Sequence, residues 1–257
     1  MSTVLITGAS GGIGYELAKL FARDRRNLVL VARSGDRLAQ VAAELQPLGV
    51  AVKTVPLDLA AFQARKFLFD QLQREGIAVD ILINNAGFGA FGKFAQIPEN
   101  EILGQIDLNI TALTELTRLF LPAMIRRGSG RIMNVASTAG FQPGPLLAVY
   151  YATKAYVISF SEAIANELRG SGVTVTCFCP GATHTGFAKR ARIDKSRLFK
   201  FGAMSAEKVA LDGYRAVMER RGLTISGAHN WLLAESTRFA PRKMVTAISR
   251  WVSEQME

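Results

Sequence analysis

Residues 4–14 read Val-Leu-Ile-Thr-Gly-Ala-Ser-Gly-Gly-Ile-Gly, and they decide the fold of this 257-residue chain. A short apolar run leads into a glycine-rich turn, and the amphipathic pattern from about Tyr15 to Arg23 predicts a helix after it. Gly8 allows a tight turn, Gly12 lets the backbone approach a pyrophosphate, and Gly14 lets the helix pack on the strand. The free N–H groups at the start of the helix favour an anion. We therefore expect a dinucleotide site here, the alternative being a glycine-rich turn that binds nothing.

The same order of strand and helix is repeated along the chain. Further apolar or β-branched runs predict strands at 27–32, 51–57, 81–83, 130–136 and 173–178. Helical patterns separate them, which predicts an α/β fold: a doubly wound parallel sheet, or Rossmann fold, with helices on both faces in three layers. Because 49% of the residues are hydrophobic, we expect a single domain over residues 1–257 rather than two small ones.

Polar residues and glycines mark the predicted strand ends. In such sheets ligands bind at the carboxyl ends of the strands, and Gly8, Arg33, Asp58 and Asn85 all fall there. The second strand is followed by Arg33 and not by a carboxylate that would accept from a ribose 2′-OH. Because a guanidinium can pair with a 2′-phosphate, NADP(H) is expected in preference to NAD(H). An ordinary surface arginine is the alternative.

A tyrosine and a lysine provide candidate proton chemistry. Tyr150 and Lys154 lie one turn apart on a helix predicted from Tyr150 to about Arg169. A phenol has an unperturbed pKa of about 10, and a neighbouring ammonium favours the phenolate and lowers that pKa. The pair is therefore a candidate acid/base, and an exposed helix face is the alternative.

Another helical pattern, from Glu101 to Arg126, contains Asn109. Asparagine is a mediocre helix former. Its side chain could bond a neighbouring helix or a water, or it could belong to a site, and the sequence leaves these alternatives open.

The chain is basic, with a net charge of +10. No helix-turn-helix, zinc-finger or RNA-recognition signature accompanies that charge, so no nucleic-acid partner is expected. One basic cluster comprises Lys189, Arg190, Arg192, Lys195, Arg197 and Lys200. A solvated face or the flank of a substrate loop is favoured over a site for an anionic partner, although a CoA or acyl-carrier group is a weaker hypothesis.

The two cysteines, Cys177 and Cys179, alternate within one predicted strand. Both point to one face, which is poor geometry for a disulfide, so we expect buried thiols in a reducing compartment. The histidines are His184 and His229, and no metal site is expected. No signal peptide or apolar run of membrane-spanning length is evident, so a cytoplasmic protein without an integral membrane segment is expected.

Taken together, the motifs resemble the short-chain dehydrogenase/reductase family over about residues 3–187. The resemblance rests on Thr-Gly-x-x-x-Gly-x-Gly at 7–14, Asn-Asn-Ala-Gly at 84–87, Ser137, Tyr150-x-x-x-Lys154, and Pro180-Gly181 with Thr185. It implies the compact NADP(H)-dependent type, with about seven strands, the last near Thr224–Gly227. One departure is Gly11, where many NADP enzymes of the family carry a basic residue. Arg33 is therefore left to hold the 2′-phosphate, with help from Ser34.

The resemblance also implies a role for each matched position. Tyr150 would be the acid/base at a carbonyl oxygen, and Lys154 would lower its pKa and hold the nicotinamide ribose. Ser137 would orient the substrate oxygen, and Asn109 would hold a water in a proton relay. The implied cofactor-binding residues are Gly8, Ser10, Gly11, Gly12, Ile13, Gly14, Arg33, Ser34, Asp58, Leu59, Asn85, Ala86, Gly87, Tyr150, Lys154, Pro180, Gly181, Thr183 and Thr185. The implied activity interconverts a carbonyl and a secondary alcohol.

Three loops rich in apolar residues should shape the substrate pocket and favour a lipophilic small molecule. They are Phe88–Phe94, Thr138–Val149 and Phe187–Met204, the last within a substrate loop at about 186–205. Their apolar side chains are Phe88, Phe91, Phe94, Phe141, Pro143, Pro145, Leu146, Leu147, Phe187, Leu198, Phe199, Phe201 and Met204. Alternatively, many of them cover the core or a subunit contact. A homodimer or homotetramer is expected.

The tail, at about 239–257, has apolar residues near helical spacing from Phe239 to Gln255. A helix that packs on the domain or on another subunit is favoured, and a membrane-surface helix is the alternative. Two alternative functions also stay open: a non-catalytic NADP sensor, and an NADP-dependent isomerase or epimerase. The intact Ser137, Tyr150 and Lys154 argue against the sensor.

Overall fold

The computed structural model describes residues 1–193, 196–197 and 202–254. The strands are β1 (Thr3–Thr7), β2 (Asn27–Ala32), β3 (Val52–Pro56), β4 (Ile81–Asn84), β5 (Gly130–Val135), β6 (Val173–Cys179), β7 (Thr183–His184), β8 (Met204–Ser205) and β9 (Leu223–Ile225). Seven of them form a central parallel sheet in the order β3-β2-β1-β4-β5-β6-β9. β7 and β8 pair separately. The strand order reverses between β1 and β4, which is where open α/β sheets place their ligands.

Helices cover both faces of the sheet. They are α1 (Gly12–Arg23), α2 (Gly35–Leu45), α3 (Ala64–Arg74), α4 (Glu99–Ile106), α5 (Leu113–Arg126), α6 (Ala148–Glu167), α7 (Gly186–Arg190), α8 (Ala206–Met218), α9 (Ala228–Ser236) and α10 (Arg242–Ser253). Alternate side chains of β1 enter different cores: Val4 and Ile6 pack with α1 and α8, and Leu5 packs with α3 and α5. This arrangement confirms the expected three-layer, doubly wound α/β fold.

Several element boundaries differ from those predicted. The helix after the glycine turn begins at Gly12 rather than Tyr15, so two of the motif's glycines lie in its first turn. The helix around Tyr150 runs from Ala148 to Glu167 and ends two residues before the predicted Arg169. The last strand of the sheet is Leu223–Ile225. Boundaries of this kind depend on backbone caps that apolar periodicity does not report.

The predicted helical stretch from Glu101 to Arg126 is helical throughout, but its middle is not α-helical. Helix α4 ends at Ile106, Asp107–Ala112 form a π-helical segment, and α5 begins at Leu113. Asn109 lies in that segment and is buried. A local π-helical turn inserts one extra residue, a change that is frequent at functional sites.

The two cysteines behave as expected. Cys177 and Cys179 are both buried and free, and their Sγ atoms lie 3.9 Å apart on one face of β6.

Among the described residues, no helix is both long and apolar enough to cross a membrane.

Candidate active site

A cavity of about 940 Å³ opens at the carboxyl ends of the strands. It brings together all of the predicted site residues except Gly14 and Asn109. Those lining it are Gly8, Ser10, Gly11, Gly12, Ile13, Arg33, Ser34, Asp58, Leu59, Asn85, Ala86, Gly87, Ser137, Tyr150, Lys154, Pro180, Gly181, Thr183 and Thr185.

The glycine turn forms one wall of the cavity. Gly8 and Gly12 have φ of +68° and +55°, which glycine adopts without strain. The Gly8 N–H donates to Val31 O at 2.8 Å, and the Asn85 amide donates to Thr7 O at 2.9 Å, so the turn is fixed from both sides. A Cβ added at Gly11 would meet no heavy atom within 4 Å. This open backbone at the uncapped start of α1 fits a dinucleotide pyrophosphate.

Gly14 supports the turn from behind and does not line the cavity. A Cβ at this position would lie 2.6 Å from Asn85 Nδ2 and would also overlap Gly8 O. The role predicted from the pattern, close packing of the helix on the strand, therefore fits Gly14 better than direct cofactor contact does.

Arg33 and Asp58 lie at the next two strand ends. Arg33 is exposed, and within the described ranges no acidic side chain pairs with it. Asp58 Oδ1 accepts from the Ala60 N–H at 3.0 Å. Ser34 caps α2, its hydroxyl accepting from the Arg37 N–H at 3.4 Å. This end of the cavity thus presents an unpaired guanidinium and a fixed carboxylate.

Arg190 also lines this cavity, although the sequence placed it only in a basic cluster. Its guanidinium lies over the Phe88 ring, 4.5 Å from the centroid. Burial lowers the pKa of Arg190, the charge of Arg33 lowers it further, and Asp58 acts in the opposite direction. Both arginines line the cavity, and the charge of Arg33 disfavours that of Arg190. The sequence shows that Arg190 follows Thr185 and that Arg33 follows β2, but it does not show that both line one cavity.

Ser137 and Tyr150 meet in the middle of the cavity. Ser137 follows β5, and its hydroxyl donates to Pro180 O at 3.3 Å and accepts from the Ala139 N–H at 3.1 Å. A hydrogen bond also joins Ser137 to the Tyr150 side chain. Lys154, one turn after Tyr150, donates from Nζ to Val135 O at 2.7 Å and lies 5.8 Å from the centroid of the Tyr150 ring.

The pKa values in this group depart from the sequence expectation. Burial raises the pKa of Tyr150 above its ordinary value, and the hydrogen bond with Ser137 opposes that rise. No lowering of the Tyr150 pKa by Lys154 accompanies these effects. Lys154 Nζ donates to Val135 O. Burial lowers the pKa of Lys154 itself to about 8. In this structure, therefore, desolvation dominates both groups.

Asn109 supports the site without lining the cavity. Its Oδ1 accepts from the Phe88 N–H at 3.1 Å, and its Nδ2 donates to Phe88 O at 2.9 Å and to Thr153 Oγ1 at 3.1 Å. Thr153 in turn donates to Tyr150 O at 2.7 Å. Of the alternatives that the sequence left open, bonding to a neighbouring helix is the one observed. The water relay stays a prediction.

The apolar end of the cavity has a partly different origin from the one predicted. Of the predicted loop residues, Leu147 and Phe187 line it, and the Phe187 ring lies 5.2 Å from that of Tyr150. Leu198, Phe199 and Phe201 lie outside the described residues, as do Lys195 and Lys200. Further apolar lining comes from α9 and α10: Leu233, Ala234, Met244, Val245, Ile248, Trp251 and Val252. The predicted tail helix is thus present and forms a wall of this cavity.

Comparison with known proteins agrees with this geometry. The family description "short chain dehydrogenase" matches residues 2–196. A ketoacyl reductase, HetN, from a Nostoc species is 39% identical over 197 residues, which is 76% of this chain and 69% of the relative. The human very-long-chain 3-oxoacyl-CoA reductase is 32% identical over 241 residues, or 89% of this chain and 76% of the relative.

Solved structures are similar over most of the chain. A short-chain dehydrogenase from Sphingobium yanoikuyae in complex with NADPH has a TM-score of 0.84 and 37% identity, covering 93% of this chain and 94% of that one. A short-chain dehydrogenase/reductase from Burkholderia phymatum in complex with NAD has a TM-score of 0.83 and 26% identity, covering 100% and 98%. From the family match, the relatives and the shared fold, this chain belongs to the short-chain dehydrogenase/reductase family of oxidoreductases.

Proposed function

We propose that this enzyme interconverts a carbonyl and a secondary alcohol on a lipophilic small molecule, with NADP(H) as its cofactor. The observation that carries the proposal is the convergence of Ser137, Tyr150 and Lys154 in one cavity whose far end presents Arg33. A hydroxyl pair suits a carbonyl oxygen, and an unpaired arginine suits a phosphate.

The chemistry proposed for the chain's own residues is proton transfer and charge stabilisation. When bound, a reduced nicotinamide supplies a hydride for the carbonyl carbon. As negative charge develops on the carbonyl oxygen, Ser137 donates a hydrogen bond to it and Tyr150 gives it a proton. Because burial raises the pKa of Tyr150, the phenol stays protonated in the neutral range and suits the reductive direction. Lys154, with a pKa of about 8, would hold ribose hydroxyls as an ammonium.

The NADP(H) preference rests on charge. The family binds a nicotinamide cofactor, and its solved members include complexes with NADPH and with NAD. In this chain β2 is followed by Arg33 and Ser34. Arg190 adds a second cation whose pKa is depressed by burial and by Arg33. A 2′-phosphate between them would relieve that repulsion, which a ribose hydroxyl would not do.

The lipophilic substrate is proposed from the cavity wall. Leu147, Phe187, Leu233, Ile248 and Trp251 contribute apolar surface beyond Tyr150. Two of the relatives are named as reductases of ketoacyl or 3-oxoacyl compounds. Ketones on long acyl chains are therefore the first substrate class that we would try.

A panel assay tests the proposal. Oxidation of NADPH and of NADH would be followed with free and thioester-linked 3-oxoacyl compounds and with bulky ketones, for wild type and Tyr150→Phe. We expect turnover with NADPH that Tyr150→Phe abolishes. Cofactor binding without turnover of any ketone or alcohol would instead favour a sensor, and product formation without net cofactor consumption would favour an isomerase.

A further inference from the structure

The two C-terminal helices and the turn between them expose an unusual amount of apolar surface. Of the fifteen large apolar side chains that the described residues expose, seven lie within 231–251. They form what we call the tail surface: Trp231, Leu232, Leu233, Phe239, Met244, Ile248 and Trp251. Phe239 is 88% exposed and Leu232 is 62% exposed. Contiguous apolar patches of this kind mark sites of interaction.

The tail surface is continuous with the apolar end of the cavity. Leu233, Met244, Ile248 and Trp251 line the cavity as well as being exposed, whereas Trp231, Leu232 and Phe239 do not line it. Four side chains of the tail surface therefore border the same cavity as Tyr150.

Positive charge is interleaved with the apolar side chains. Residues 236–253 contain Arg238, Arg242, Lys243 and Arg250 and no acidic residue. Two of these cations are offset by flanking acids: Arg238 pairs with Glu235 at 3.0 Å, and Arg250 pairs with Glu254 at 3.2 Å. No ion pair with an acidic side chain is seen for Arg242 or Lys243 within the described ranges. Arg242 and Lys243 are exposed. On α10 the opposite face packs inward through Val245, Ser249 and Ser253. The helix thus turns an apolar and cationic face outward.

That charge pattern discriminates between occupants. A second copy docked through the same face would bring together two surfaces of the same sign, since a two-fold contact pairs each patch with itself. An anionic bilayer complements both parts of the tail surface, because its acyl chains can bury the apolar side chains and its headgroups attract the cations.

We propose that the tail surface docks on an anionic lipid bilayer, with α9 and α10 lying in the interface. Among the described residues no helix is long and apolar enough to span the bilayer, so the contact is peripheral. Docking would open the cavity towards the bilayer and admit a lipophilic substrate directly from it. This last step rests on the proposed function, whereas the docking itself does not.

Flotation of the full-length protein with vesicles tests the docking. Vesicles of phosphatidylcholine would be compared with vesicles that also contain phosphatidylserine, at low and high salt. Two double variants remove one component each without touching the cavity lining: Leu232→Ser with Phe239→Ser, and Arg242→Glu with Lys243→Glu. Matched controls are Phe62→Ser with Phe67→Ser, which also removes exposed phenylalanines, 88% and 53% exposed, and Arg74→Glu with Arg169→Glu, which reverses two exposed cations elsewhere.

We expect wild type to float with the phosphatidylserine vesicles and each tail double variant to lose about tenfold or more of that binding. The controls should bind like wild type, and all variants should turn over a water-soluble ketone at the wild-type rate. If wild type floats as expected but neither wild type nor any variant turns over a ketone, the proposed function is wrong and the docking is still supported.

Three outcomes would overturn the docking. They are no flotation with either vesicle, flotation that ignores both tail double variants, and flotation that the controls lose equally. Sedimentation velocity, run in parallel, addresses the competing occupant. If the tail variants dissociate an oligomer while wild type fails to float, a second copy covers this surface and the proposal is wrong.

Discussion

The ammonium of Lys154 donates to the carbonyl oxygen of Val135 at 2.7 Å, which ties α6 to the last residue of β5. The same contact holds the charge 5.8 Å from the centroid of the Tyr150 ring. Lys154 is 6% exposed, and burial lowers its pKa from 10.5 to about 8. The fold therefore holds the Lys154 ammonium in a place where desolvation disfavours its charge. This cost should appear in how the free energy of unfolding depends on pH.

Lys154→Met should remove a specific pH dependence of stability. Between pH 8 and 10.5 the unfolded chain keeps the Lys154 proton while the folded chain releases it, so the free energy of unfolding of wild type rises with pH in that window. Relative to Lys154→Met, wild type should gain roughly 3 kcal/mol across it, at 1.36 kcal/mol per pKa unit. Urea unfolding of both proteins at the two ends of the window measures this gain. A constant difference would mean that the folded pKa is not lowered.

Tyr150→Phe should abolish the chemical step and spare cofactor binding. Loss of a general acid costs ~10²–10⁴-fold in kcat, and the phenylalanine keeps the ring contact with Phe187 at 5.2 Å. Tyr151→Phe is the matched control, because Tyr151 is buried one residue away without being four residues before Lys154. Single-turnover kinetics and NADPH fluorescence separate the two effects. Equal losses in both variants would count against Tyr150 as the proton donor.

Arg33→Ala should weaken NADPH binding and leave NADH binding nearly unchanged. A hydrogen bond to a charged group contributes about 1.5–3 kcal/mol, so the Kd for NADPH should rise roughly 10- to 100-fold. Arg190→Ala should shift the same ratio in the same direction by a smaller factor. The control is Arg74→Ala, at the end of α3. Calorimetric titration with both cofactors gives the ratio of their Kd values. An equal loss of NADH binding would contradict the assignment of Arg33 to the 2′-phosphate.

Gly14→Ala should destabilise the fold, whereas Gly11→Ala should not. An added Cβ at Gly14 would lie 2.6 Å from Asn85 Nδ2 and overlap Gly8 O, whereas one at Gly11 would meet nothing within 4 Å. Gly11 has a φ of −178°, an extended backbone that alanine also adopts. We expect Gly14→Ala to lower the free energy of unfolding by about 1–3 kcal/mol through overpacking. Thermal unfolding of both variants decides, and a stable Gly14→Ala would refute the tight packing.

These residues also show how far the sequence could be read. Gly8, Arg33 and Asn85 were predictable because each follows a strand, and strand ends of a parallel sheet converge on one edge. Arg190 over the Phe88 ring was not, since that contact joins residues that no local pattern connects. The cavity wall at Ile248 and Trp251 depends likewise on where the last helices pack.

The π-helical segment was hidden for a different reason. A helical sequence pattern does not distinguish α-helical from π-helical hydrogen bonding. The segment contains Asn109, whose amide binds both backbone groups of Phe88 and also Thr153. These contacts join residues far apart in the chain, which a local pattern does not report.

Asn109→Ala should therefore lower the free energy of unfolding, and any loss of activity should follow from that structural loss. The substitution leaves the half-buried N–H and C=O of Phe88 without their Asn109 partner, at up to about 1–3 kcal/mol for each unsatisfied group. It also frees Thr153, which donates to Tyr150 O at 2.7 Å. Asn100→Ala, at an exposed position of α4, is the matched control and should change neither property. Urea unfolding and kcat would be measured on the same samples. If Asn109→Ala keeps the wild-type free energy of unfolding and loses turnover, the residue acts on the proton path and not on the scaffold, because no structural loss would remain to explain the missing rate.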